Sequence, residues 1–199
     1  MGKLDEKKRI KRDSLLQAAF TLFTDKGIKD TSISDIAKKA NMAKGTFYLY
    51  FKDKFDIRDK LIVAKAGQIF GRALEEMNGV SLKTLEDHVI FLLSSVVNQL
   101  EQDKILLQFI SKNLSWGVFD KALRENDVDG DSFYHRYYTL LEESGRRFRN
   151  PDLMLYMIVE LVSSTCYSVI LKQEPVTLEE LKPELFGAVC DMVRRQEIR

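Results

Sequence analysis

The chain has 199 residues, 45% hydrophobic and 31% charged, with ten glycines and three prolines, a composition that excludes a disordered chain and a length that supports a sizeable core. A formal net charge of +1 conceals a division: residues 1–60 carry 15 Lys/Arg against 9 Asp/Glu, whereas residues 61–199 carry 16 against 21. A basic N-terminal third on an acidic remainder points to an anionic partner for that third alone.

Apolar residues recur mostly at three-and-four spacing, which predicts an all-α chain. The first helix is expected over about Leu4–Lys26, where Leu15, Ala18, Ala19, Leu22 and Phe23 form one amphipathic stripe. Gly27 closes it, as a residue tolerant of positive φ. Ahead of the stripe lies a basic arm of Lys3, Lys7, Lys8, Arg9, Lys11 and Arg12.

Ser32 and Asp35 have capping-box spacing and predict the start of a short second helix carrying Ile33, Ile36, Ala37 and Ala40. Asn41 supplies a turn. The next stretch, NMAKGTFYLYFKDK (41–54), places four aromatics in five positions. Phe47 and Phe51 are i, i+4 partners and share an inward face, leaving Lys44, Gly45, Thr46 and Tyr48 largely outward. Two short helices joined by a tight turn after a longer helix make a helix-turn-helix. Its exposed set holds a cation, a hydroxyl, a glycine and a phenol, groups suited to the DNA major groove.

A fourth helix is expected from Asp53, its N-cap, to about Asn78, where Asn78-Gly79 breaks it. Further helices are predicted at about 81–101, 104–115, 132–148, 151–172 and 178–195, with Pro151 opening one of them. Cys166 and Cys190 lie in apolar helical stretches and read as buried free thiols. No signal peptide is read. Glu160 interrupts the best transmembrane candidate, and Glu6 stands where a myristoylation motif needs Ser or Thr. A cytoplasmic protein without a membrane partner is expected.

TSISDIAKKANMAKGTFYLYFKDK resembles the DNA-binding signature of the tetracycline-repressor (TetR) family of transcriptional regulators, and SLLQAAFTLFTDKGI resembles that family's first helix. The likeness covers about residues 8–60. It implies an N-terminal three-helix helix-turn-helix domain (1–52) followed by a C-terminal helical domain (53–199) that binds a ligand and dimerises. It also implies DNA-binding roles by position. Thr31 and Ser32 meet a phosphate near the start of the second helix. Lys44, Gly45 and Thr46 lie against base edges and adjacent backbone, Tyr48 and Tyr50 reach phosphates, and Lys54 contacts phosphate. The sequence departs from the family's pattern at Asn41, Ala43 and Phe55. Ala43 removes a capping hydroxyl.

The resemblance further implies an effector pocket lined by bulky apolar groups, with Phe91, Phe109, Trp116, Tyr134 and Tyr137 as candidates. Glu160 lies in LMLYMIVELVSSTCYSVIL, which reads as buried on two sides. A buried carboxylate needs a partner, either an Arg or serine-rich neighbour or a ligand. The dimer surface is expected from about 152–172 and 178–195, with Val169 and Val189 on it. A two-fold dimer then reads a near-palindromic operator and is released by a small, largely apolar effector.

The DVDGD stretch lacks the ligands of a calcium loop, because Gly130 precedes Asp131 and Tyr138 stands at the twelfth position. His88 and His135 have no partners at metal-ligand or catalytic spacing, so no metal, cofactor or enzyme activity is expected. Two alternatives remain in this reading. One is an activator, or a partner-controlled regulator of the same fold, without a small-molecule ligand. The other is a helical enzyme or interaction module with an incidental basic arm.

Overall fold

Among the described residues, three helices begin with a reciprocal cap. In the computed structural model, which describes residues 3–113, 116–118, 120 and 133–198, Ser32, Thr84 and Thr177 each accept a backbone N–H from the residue three places on. Asp35, Asp87 and Glu180 return the bond to the cap's own N–H. Asn150 caps a fourth start, with Pro151 following at the first helical position. Gly27, Gly79 and Gly145 adopt positive φ just after helix ends.

The described helices are α1 (Lys3–Lys26), α2 (Ile33–Lys39), α3 (Lys44–Tyr48), α4 (Lys54–Met77), α5 (Leu85–Gln102) and α6 (Lys104–Asn113). They continue with α7 (Phe133–Glu143), α8 (Pro151–Lys172) and α9 (Leu178–Gln196). Among the described residues there is no strand, only an isolated antiparallel bridge between Phe148 and Glu197. The helix expected from about 81 starts at Leu85 because the Thr84–Asp87 box fixes it there. The one expected to reach 148 stops at Glu143, before Gly145 with its φ of 67°. The NDVDGD stretch lies outside the described residues.

Chain contacts divide the molecule into Met1–Ala64 and Lys65–Arg199, with the division inside α4. Sequence reading placed a boundary at 52/53. The early turns of α4 join the first unit because Ile57 and Leu61 are buried beside its helices. In that unit Leu15, Ala19, Ile36, Phe47 and Phe51 complete a core around α1–α3. Each of the larger of these side chains contributes roughly 1.5–3 kcal/mol by burial.

In the second unit α8 packs on α6 and α9, and α9 on α5. Length and composition alone would let α8 cross a membrane, Glu160 notwithstanding. Here its Met154, Leu155, Ile158, Val162, Cys166, Val169 and Ile170 face the helical core. Val169 and Val189 are 3% and 0% exposed within one chain, which corrects their placement on a mating surface. Cys166 and Cys190 are buried free thiols. Burial pushes the Cys166 thiol up to about 11 and raises that of Cys190.

Candidate nucleic-acid interface and apolar cavity

The helix-turn-helix is built by Asn41, whose φ of 57° turns the chain between α2 and α3. The Met42 N–H then donates to the Ala37 carbonyl at 2.8 Å. Phe47 is fully buried and Phe51 nearly so, their ring centroids 5.5 Å apart. Tyr48, on the next position, is 52% exposed and stands edge-on to Phe47. Lys44 and Gly45 are exposed, and Thr46 and Tyr50 half-buried. Two aromatics thus anchor α3 while Tyr48 faces outward. Leu49 was not nominated from sequence, yet at 80% it is a strongly exposed apolar side chain on the same short segment.

Gly45 is informative because nothing lies within 4 Å of where a Cβ would sit. The fold does not require glycine there. Ala43 caps α3 with extended backbone (φ −68°, ψ 146°) and, as expected from its side chain, supplies no capping bond.

Two nominated residues turn inward. The Thr31 side chain is almost wholly buried, and its hydroxyl donates to the Gly27 carbonyl at 2.7 Å and approaches that of Leu22 at 3.3 Å. Lys54 Nζ donates to the carbonyls of Ile28 (2.9 Å), Lys29 (3.0 Å) and Thr31 (3.4 Å). The ammonium thus braces carbonyls of the α1–α2 connection. In this structure the Thr31 hydroxyl is thus held within the α1–α2 connection, and Lys54 ties α4 to that connection, so neither is presented outward for phosphate. Ser32 stays exposed, its N–H on Asp35 Oδ2 at 3.0 Å. That N–H and the Lys26 ammonium, 2.9 Å away, hold the exposed Asp35 carboxyl down at about 2.

The second unit holds a partly open cavity of about 120 Å³. Ala66, Ile69 and Phe70 of α4 line it at i, i+3 and i+4, facing Leu92, Leu93, Val96 and Leu100 of α5. Ile110, Phe133 and the α8 residues Leu155, Ile158, Val159, Val162 and Ser163 complete the lining. Ser163 is the one polar residue among these. Such a wall recognises by shape and apolar contact, with almost no hydrogen bonding to offer.

The sequence profile described as "Bacterial regulatory proteins, tetR family" matches residues 15–61. Over those residues the chain matches the family's DNA-binding part. Over 69 residues it is 44% identical to the uncharacterized HTH-type transcriptional regulator YvdT of Bacillus subtilis, covering 35% of this chain and 34% of that protein. Over 72 residues it is 39% identical to the Bacillus subtilis fatty acid metabolism regulator protein, covering 36% and 37%. The chain thus spans about a third of the length of these two curated relatives. A solved structure of Bacillus subtilis FadR, in complex with stearoyl-CoA, matches with a TM-score of 0.65 at 23% identity, covering 88% of this chain and 96% of that one. At that identity the likeness is one of fold.

Of the residues that the TetR resemblance nominated for a pocket, none lines the 120 Å³ cavity. Trp116, Tyr134 and Tyr137 pack against Leu155. The Tyr134 and Tyr138 hydroxyls converge on the Asp152 carboxylate, and Tyr137 donates to the Pro151 carbonyl at 2.8 Å. Burial first, then the Asp152 charge, raises the Tyr137 phenol above its ordinary range. Tyr137 also lines a smaller void of about 30 Å³. Phe91 is half-buried and Phe109 buried, both outside the cavity wall. Glu160 is exposed, because α8 buries only one face. The nominated aromatics fill space; the void forms where aliphatic side chains meet Phe70 and Phe133. A signal was present in the α4 triplet Ala66, Ile69 and Phe70.

Proposed function

We propose that this TetR-family chain is a transcriptional repressor that binds a near-palindromic operator as a dimer and releases it when a small apolar effector occupies the cavity. Lys44, Gly45 and Thr46 are the base-side group, with Ser32, Tyr48 and Tyr50 toward phosphate. The outward faces of α8 and α9 supply the dimer contact. Glu160, Ser164, Gly187 and Ala188 lie exposed there, and the small residues permit close helix approach. Such a protein works in the cytoplasm, where its operator lies.

The observation that carries the ligand half is the hydrocarbon wall of the cavity together with the course of α4. One continuous helix places Ile57 and Leu61 in the first unit's core and Ala66, Ile69 and Phe70 on the cavity. A ligand that favours one position of α4 shifts the population of DNA-competent protein by its differential affinity alone. The alkyl chain of a long acyl group suits this wall, and the fold neighbour crystallised with stearoyl-CoA supports that class.

The test uses a duplex selected by the wild-type protein from a random pool. Adding stearoyl-CoA should lower the fluorescence anisotropy of the bound duplex, whereas coenzyme A alone should not. Ala66→Leu, which adds three carbons to the cavity wall, should retain DNA binding and lose the response. A duplex that stays bound at saturating stearoyl-CoA would reject the acyl class.

A further inference from the structure

We infer that the exposed N-terminal extension of α1 is a second, phosphate-tracking DNA contact, separate from the helix-turn-helix, with Lys7, Lys8, Lys11 and Arg12 as its cations. The inference rests on the reading of the first unit as DNA-binding. α1 begins at Lys3, yet its first buried residue is Leu15. Residues 5–13 are all exposed.

The charges along this extension are sorted by side. At 100° per residue, Lys7, Lys8, Lys11 and Arg12 fall within an arc of about 140°, whereas Asp5, Glu6, Arg9 and Asp13 fall within about 100° on the other side. Of the residues buried further along α1, Leu15, Ala18 and Ala19 share the cationic arc, and Leu16 and Phe23 lie just beyond its Arg12 edge. The cations thus continue the face on which the helix-turn-helix packs, over about 8 Å of helix axis. No ion pair joins these four cations to an acidic group among the described residues.

On the cationic side Lys7–Lys11 and Lys8–Arg12 are like charges at i, i+4, while Asp5–Arg9 and Arg9–Asp13 are favourable pairs on the other side. A short helix without tertiary packing is marginal. A polyanion running along the cationic side removes the repulsion and holds the extension. A membrane surface fits less well, because Ile10 is the sole apolar residue in 5–13 and an interfacial helix needs an apolar face.

The experiment compares the full chain with the variant Lys7→Gln/Lys8→Gln/Lys11→Gln/Arg12→Gln, since glutamine keeps helix propensity and removes charge. Binding to a labelled duplex of random sequence is titrated across salt concentrations, with melting temperature as the folding control. The expected result is an unchanged melting temperature and a salt slope flattened by about one to four units per bound protomer. An unchanged slope with wild-type affinity overturns the inference and leaves the helix-turn-helix reading standing. A wild-type protein that binds no duplex at low salt overturns that reading itself. Equal flattening by Lys83→Gln/Lys104→Gln/Lys172→Gln/Arg195→Gln would show a general charge effect and overturn the inference. So would loss of binding to anionic lipid vesicles with duplex binding intact.

Discussion

The two units of this chain carry their functional features in opposite ways. In Met1–Ala64 the candidate contacts are side chains that stand out from a filled core: Lys44, Gly45 and Tyr48 around the buried Phe47 and Phe51. In Lys65–Arg199 the feature is a space, walled by apolar residues that differ little from ordinary core. A surface site is written in residue identities. A cavity is written in missing atoms, which no single residue announces.

The largest expected effect comes from an interior charge in the second unit. Val169→Asp buries an unpaired carboxylate within one chain and should destabilise by more than about 4 kcal/mol, unfolding the unit at any concentration. Ala188→Arg, on the exposed side of α9, should instead leave melting of the fold nearly intact and shift sedimentation from dimer to monomer. A folded, monomeric Val169→Asp protein would put that side chain at an interface after all.

In the first unit, Phe47→Ala should cost about 3–5 kcal/mol by emptying a core position. Tyr48→Phe should keep stability within about 0.5 kcal/mol while weakening binding to the selected duplex. Thermal melts and titrations on the same samples separate the two outcomes; a reversed pattern would mean that α3 is turned the other way.

Smaller gains sharpen the same contrast. Ala43→Ser supplies the absent cap of α3 and should stabilise by about 0.5–2 kcal/mol without loss of DNA affinity. Gly45→Ala has open space and better helix propensity, so it should stabilise by roughly 0.5–1 kcal/mol. Its DNA affinity should nevertheless fall, if close approach of backbone to DNA is what the glycine serves. Unchanged affinity would assign Gly45 no role in the interface.

The smallest effect is a pH dependence at the α2 cap. The Asp35 carboxyl is held at about 2 instead of its ordinary 3.8 by the Ser32 N–H, the Lys26 ammonium and the Ser32 hydroxyl. A depressed carboxyl stabilises above its unfolded value, and that contribution is lost as pH falls through the folded one. Acid titration of the melting temperature between about pH 4 and 2 should therefore be steeper for wild type than for Asp35→Asn.

How much was legible follows from the same difference. The Ser32–Asp35 box, the Asn41 turn, the uncapped Ala43 and the Phe47/Phe51 anchor are local patterns, each fixed by residues within a few places of one another. The inward bonds of Lys54 were not legible because its carbonyl partners lie 23 to 26 residues away and are brought close by folding. Glu160 misled because a helix apolar nearly all round was read as buried all round. Ser164 and Gly187, small rather than charged, keep that outer side looking like core in sequence. The aromatics nominated for a pocket misled because volume in a side chain closes a cavity as readily as it lines one.

The central claim is that two copies of the α3 surface read DNA together. Selection of bound duplexes from a random pool, using the full-length wild-type protein, tests it most directly. The account predicts enrichment of a near-palindrome whose half-sites are separated by about one helical turn or a multiple of it. Enrichment of a single asymmetric half-site, or of no sequence at all, would contradict it.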